Sequence, residues 1–262
     1  MGRLEGKVIL ITGAARGQGE VEARLCALEG ATVYLADVLD SAGEALAGKI
    51  RATGGAATYL HLDVAAEADW HAAAELLSTA GGALHGLVNN AAVAHRHTLF
   101  DTTAADWEKV HRVNLLGPFL GIKTLAPLLG RAQTASVVNI GSAAGMTGNF
   151  ATAYAASKWG LRGLTKSASL ILAERGIRVN AIHPGLVTTP LVAGDPPFVD
   201  AMVRLTPVGR AATAEDIAGV VLFLLSDDSR YMTGVDLEVD GGLVNGGVYH
   251  HIWKAARAPS SP

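Results

Sequence analysis

The chain of 262 residues contains one cysteine, Cys26. A lone thiol closes no internal disulfide, so cross-links do not hold this fold, and a reducing compartment suits it. Cys26 falls in an apolar helical pattern and reads as a small core residue. An excess of one charge is also missing. Lys and Arg number 21 against 24 Asp and Glu, a net charge of -3, which supplies no basic footprint for nucleic acid or an anionic membrane. Long apolar runs are absent too. The apolar stretch behind Arg3, Glu5 and Lys7 is too short for a signal peptide or a membrane span, and no other run reads as a bilayer crossing. Repeats, linkers and low-complexity segments are missing, and only Ala255 to Pro262 looks frayed. The expectation is a soluble, cytoplasmic protein. Core material is plentiful: 50% of residues are hydrophobic and mean hydropathy is +0.29, unlike a disordered chain.

Seven candidate strands alternate with helices. They are Val8–Ile11, 31–37, 57–62, 86–89, 136–140, 177–182 and 235–239. Continuous β-branched runs suit strands buried on both faces. The alternation predicts an α/β fold with a doubly wound parallel sheet and helices on both faces. One domain, residues 1–247, accounts for it, followed by a tail, 248–262. The first helix is expected to follow an apolar pattern through Val21, Leu25 and Leu28 and to end at Gly30. Thr103 with Asp106 predicts a capping-box start, and Gly117-Pro118 a bend or restart. Residues 191–212 show weak periodicity and read as a lid or loop pair.

The chemistry gathers in the stretch from Gly141 to Lys158. Tyr154 and Lys158 are four residues apart, on one face of a helix. A free tyrosine, with a pKa near ~10, is a poor base at neutral pH. A lysine ammonium held close favours the phenolate and is expected to lower that value. Ser142 follows the apolar run 136–140, so it sits at a strand's C-terminal end, where ligands bind in open α/β sheets. These three side chains can converge on one substrate oxygen. Near the N-terminus, Val8–Ile11 runs into Thr12-Gly13-Ala14-Ala15-Arg16-Gly17-Gln18-Gly19, then a helix, a second strand and Asp37. Strand, glycine turn, helix, strand and acid form a dinucleotide-binding unit. A carboxylate at Asp37 accepts from the ribose hydroxyls and repels a 2′-phosphate, favouring NAD over NADP. Arg16 pulls weakly the other way. Asp63, at a strand end, suits an adenine contact or a helix cap. Asn114 reads as a hydrogen-bonded polar residue on an inward face.

Thr12-Gly13-x-x-x-Gly17-x-Gly19, Asn89-Asn90-Ala91, Asn114, Ser142, Tyr154-x-x-x-Lys158 and Pro184-Gly185 follow in an order that resembles the short-chain dehydrogenase/reductase family, from about Leu4 to Gly242. The resemblance implies a Rossmann-type fold and an NAD(P)-dependent dehydrogenase or reductase interconverting a secondary alcohol and a ketone. It implies Tyr154 as general acid/base, Ser142 on the substrate oxygen and Lys158 on the tyrosine and the nicotinamide ribose. Asn114 would help hold a water in a proton relay, and Asn90 would support the sheet beside the cofactor. The cofactor set it implies is Gly13, Arg16, Gly17, Gln18, Gly19, Asp37, Asp63, Val64, Asn90, Tyr154, Lys158, Pro184, Val187 and Thr189, with the last two meeting the carboxamide. Two positions depart from the family pattern. Ala92 stands for a usual glycine, and Gln18 for an aliphatic residue, within reach of cofactor or substrate.

Ser142, Ala144, Met146, Phe150, Tyr154 and Leu186 are the expected substrate-binding residues, with Ala94, Leu191, Phe198 and Met202 around them. Most are apolar, which suits a hydrophobic, alicyclic or steroid-like substrate. His95, Arg96 and His97 are expected to face solvent, and no metal is read from the sequence. The alternatives are a 3-oxoacyl thioester reductase, which typically uses NADPH, and a polyol or sugar dehydrogenase. A non-catalytic NAD sensor is a more distant one. Members of the family are commonly tetramers. Val248, Tyr249, Ile252 and Trp253 are apolar for a tail, so it is expected at a subunit interface of a homotetramer.

Overall fold

A computed structural model describes residues 2–188 and 196–257 of the chain. Seven strands form one parallel sheet: β1 (Val8–Thr12), β2 (Thr32–Asp37), β3 (Ala56–His61), β4 (Gly86–Asn89), β5 (Ala135–Ile140), β6 (Ile177–Pro184) and β7 (Asp236–Val239). Their order is β3-β2-β1-β4-β5-β6-β7, so the winding reverses between β1 and β4. That reversal opens a crevice above the carboxyl ends of both strands.

Alternation along the buried strands divides the core in two. Ile9, Ile11, Val33 and Leu35 face one layer. It is built from α1 (Gly17–Leu28), α2 (Asp40–Ala52) and α8 (Ala214–Leu225). Leu10, Tyr34, Leu87 and Val137 face the other. That layer uses α3 (Glu67–Thr79), α5 (Gly117–Arg131) and α6 (Thr152–Leu172). Gly121 lets α5 close on α3, because a Cβ there would sit 2.6 Å from the Trp70 ring.

The strands match their sequence expectation to within two residues. The helices differ more. In α1 the buried face is Gly19, Glu22, Ala23, Cys26 and Ala27, while Leu28 is 81% exposed. Small residues let α1 approach α8 and the sheet, so leucine spacing points to the wrong face. A short helix, α4 (Ala104–His111), carries the expected capping box of Thr103 and Asp106. It passes through a π turn, Arg112–Leu116, into α5, so the expected bend is a register change in a continuous helical run. That run, Ala104–Arg131, is apolar and long enough to cross a bilayer by length and composition, unlike the sequence reading. Leu120, Leu125, Leu128 and Leu129 are buried in the core, which accounts for its apolar character. Two further helices lie where loop and tail were expected. They are α7 (Pro196–Leu205), starting on two prolines that tolerate a first turn, and α9 (Leu243–Ala255), which runs through the expected boundary at 247/248.

Candidate active site

The turn between β1 and α1 is shaped by its glycines. Gly13 and Gly17 have φ of +64° and +62°, which side chains rarely adopt. A Cβ on Gly19 would lie 2.4 Å from the Gly13 carbonyl oxygen and 2.6 Å from Asn90 Nδ2. Asn90 clamps this turn: its Nδ2 donates to the carbonyls of Thr12 at 2.9 Å and Gly13 at 3.1 Å. No side chain caps the start of α1, so its first N–H groups remain available to an anion. Asp37 ends β2 and accepts from Ala15 N–H at 2.9 Å and Leu39 N–H at 3.1 Å. Gln18 turns inward, its Nε2 donating to Glu22 at 2.8 Å and toward Asn90 at 3.4 Å.

The other half of the site stands beyond β5. Ser142 begins a 3₁₀ turn, Ala143–Gly145, and its Oγ accepts from Ala144 N–H at 3.1 Å. The Ser142 side chain faces Tyr154 on α6 across the cleft that both residues line, and it acts to lower the tyrosine's pKa. One turn on, Lys158 is buried and donates to the Ile140 carbonyl at 2.7 Å. Its Nζ lies 5.6 Å from the Tyr154 ring centre. Burial raises the Tyr154 hydroxyl above its ordinary value, and Ser142 offsets part of that. This differs from the expectation of a tyrosine lowered by its lysine: burial is the larger cause, Ser142 supplies the opposing one, and Lys158 points its ammonium at a carbonyl. Desolvation also pushes Lys158 itself down, to about 8.

These two halves share a cleft of about 550 Å³ over the strand reversal. Gly13, Arg16, Gly17, Gln18 and Asp37 line its β2 side; Ser142, Tyr154, Lys158, Pro184 and Val187 line its β6 side; Asp63, Val64 and Asn90 lie between. Gly19 sits behind the turn and shapes it. Asp63 accepts from Ala65 N–H at 2.9 Å, so it lines the cleft and caps a turn at once. Thr189 and Leu191 lie outside the described residues. Asn114, in the π turn, is buried. Its amide exchanges two 2.9 Å bonds with the backbone of Val93 and donates to Ser157 Oγ at 3.1 Å, leaving no side-chain proton for a water. Four expected substrate contacts do not line this cleft. Ala144 is buried in the 3₁₀ turn and Met146 is partly buried. Phe150 is half exposed, edge-on to Phe198, and Leu186 is buried against a second, smaller cavity. Val38, Leu39, Leu62, Val93 and Val113 line the cleft instead. Most of them follow a strand's carboxyl end closely, and that position was the available signal.

Of the three residues expected to face solvent behind β4, His97 is exposed, whereas His95 and Arg96 are partly buried. Arg96 stacks on the Phe198 ring, 4.6 Å from its centre. His95 Nδ1 lies 3.0 Å from one Asp106 oxygen and His97 Nδ1 3.5 Å from the other. Asp106 Oδ2 already accepts the Thr103 hydroxyl at 2.7 Å and its N–H at 3.3 Å. We therefore assign this cluster to the cap of α4.

A family model described as enoyl-(acyl carrier protein) reductase matches residues 13–244. The chain belongs to the short-chain dehydrogenase/reductase family. It is 42% identical over 262 residues to a 3-alpha-(or 20-beta)-hydroxysteroid dehydrogenase of Mycobacterium tuberculosis, covering 100% of this chain and 98% of that one. It is also 42% identical to a trans-4-hydroxycyclohexanecarboxylate dehydrogenase of Sinomonas cyclohexanicum, covering 92% and 93%. A gluconate 5-dehydrogenase from Burkholderia cenocepacia, solved with NADP and tartrate, superposes with a TM-score of 0.89 at 34% identity, covering 93% and 97%. This short-chain dehydrogenase/reductase is accordingly an oxidoreductase of CH–OH groups with a nicotinamide cofactor, interconverting a secondary alcohol and a ketone.

Proposed function

We propose that the enzyme is NAD-dependent and acts on a hydrophobic, alicyclic or steroid-like alcohol. The observation that carries the reading is the gathering of Ser142, Tyr154 and buried Lys158 in the same cleft as the glycine turn and Asp37. The nicotinamide, when bound, supplies the hydride acceptor or donor. Ser142 holds the substrate oxygen. Tyr154 takes the alcohol proton in oxidation and returns it in reduction. Lys158 holds positive charge beside the phenolate and binds the nicotinamide ribose. With its amide spent on Val93 and Ser157, Asn114 holds a relay water through its backbone carbonyl. The α1 N-terminus takes the pyrophosphate, and Asp37 takes the ribose hydroxyls and turns away a 2′-phosphate. The apolar rim of Val93 and Val113 supports an apolar substrate. The names of the steroid and cyclohexane relatives support a ring-bearing one.

The description of the matching family model favours a second reading, a thioester reductase; the Asp37 carboxylate opposes the NADPH such enzymes use. A panel of alicyclic alcohols, steroids, polyols and acyl thioesters, offered with NAD and NADP separately and followed by reduced-nicotinamide absorbance, separates them. Turnover of steroids or alicyclic alcohols with NAD supports our reading. Turnover confined to thioesters with NADPH, or to polyols, overturns it. We also propose a homotetramer in which a neighbour covers the exposed apolar residues of α9.

A further inference from the structure

We infer that Asp236 is a positioning residue for Ser142, acting through His183 on the serine's backbone N–H and through Arg162 on the carbonyl of Gly145. The inference rests on the reading of Ser142 and Tyr154 as the reacting pair.

The first arm runs through the core. His183 is 0% exposed, and its Nε2 lies 2.9 Å from Asp236 Oδ1 on the neighbouring strand. Burial works to raise the Asp236 carboxyl, but hydrogen bonds from His183 and Lys166 outweigh it and hold the group below the ordinary range. An ionised carboxylate only accepts, so Nε2 carries a proton. Burial lowers the imidazole pKa, against the pull of Asp236, and the ring is neutral with one proton. Nδ1 therefore presents a lone pair. It lies 3.3 Å from Ser142 N and 3.2 Å from the Ser142 carbonyl oxygen; with its lone pair on Nδ1, the ring accepts from the N–H, and the carbonyl is left to Gly145 N–H. Gly141 makes the approach possible, since a Cβ there would sit 2.4 Å from His183 Nδ1.

The second arm leaves from the other carboxylate oxygen. Asp236 Oδ2 lies 3.4 Å from Arg162 NH2 and 3.0 Å from Lys166 Nζ. Arg162 NH1 donates to the Gly145 carbonyl at 3.0 Å. Within the turn, Gly145 N–H closes back on the Ser142 carbonyl at 2.8 Å. One carboxylate on β7 thus holds both ends of the turn that aims the Ser142 hydroxyl at Tyr154. Among the described residues, His183, Arg162 and Lys166 are the titratable partners around it, from β6 and α6.

The test needs one readout in the absence of substrate and one in turnover. Hydrogen exchange of the full-length protein is measured on peptides covering 142–146, and the pH profile of kcat is measured with saturating cofactor. Asp236→Ala is expected to speed exchange in 142–146 while β5 and the body of α6 stay protected. It is expected to lower kcat about tenfold with the cofactor KM unchanged. The Tyr154 limb of the profile moves to higher pH, as in Ser142→Ala, because the serine that lowers the tyrosine is loosened. Asp236→Glu restores both readouts. At His183, asparagine places an acceptor where Nδ1 stood and is expected to preserve the turn, whereas glutamine reaches toward Asp236 and is not. Wild-type exchange at 142–146 in Asp236→Ala, or a loss of protection spread evenly over the sheet, overturns the inference. If the wild type turns over nothing in the panel, the functional reading fails on that result, and exchange still decides the positioning claim.

Discussion

At the residue scale the sharpest expectation concerns Tyr154. It is the group assigned to move the proton, and a phenylalanine in its place keeps the ring packing. Tyr154→Phe should lower kcat by about 10²- to 10⁴-fold while cofactor affinity holds, as measured by turnover and by the fluorescence of bound reduced cofactor. The wild-type oxidation rate should rise with pH along a limb that the variant lacks. Glu22 offers a second expectation. It is wholly buried on α1, and desolvation pushes its carboxyl up to about 8 from 4.5, against a weaker effect of the Gln18 bond. Its Oε2 has no hydrogen-bond partner. A raised folded pKa means that the folded state keeps the proton after the unfolded chain has released it. Stability is therefore fully present below about pH 4.5 and is lost as pH rises toward about 8. Glu22→Gln carries no such loss. It should match the wild type in thermal denaturation near ~pH 4 and exceed it by up to about 5 kcal/mol near ~pH 9. A Tm difference independent of pH would sink this account.

At the element scale, close approach of helices leaves little room for change. Adding a methyl at Gly121 drives α5 against the Trp70 ring, so Gly121→Ala should cost about 1–3 kcal/mol in urea denaturation with the cleft residues untouched. The same scale separates what the sequence disclosed from what it withheld. Each strand is a short apolar run between turn residues, and local pattern suffices to find it. The glycine turn, Asp37, Ser142, Tyr154 and Lys158 were legible because their spacing alone puts them at strand ends or on one helix face. The buried side of α1 was not, since alanine, glycine and cysteine define it and carry weak apolar contrast. The cleft walls were missed for another reason. Ala144 and Phe150 stand beside Ser142 and Tyr154 in sequence, but the 3₁₀ turn and the start of α6 direct them elsewhere. His183 and Asp236 could not be paired without the register of β6 and β7, which places His183 beside Glu238 and Ala181 beside Asp236.

At the scale of the whole molecule, one prediction concerns assembly. Val248, Tyr249, Ile252 and Trp253 leave an apolar surface on α9, which packs on α7. Deleting 248–262 should reduce the assembled mass in light scattering and alter the Michaelis constant. A variant with unchanged mass would remove the tail from the assembly proposal. The sheet order carries one last consequence. The strand that steadies Ser142 comes last in the chain, and it lies at the sheet's outer edge. A ribosome adds about 5–20 residues per second, so the serine emerges several seconds before Asp236 exists. The reacting turn stays unsupported until synthesis is nearly complete. Competence is thereby timed to the final strand.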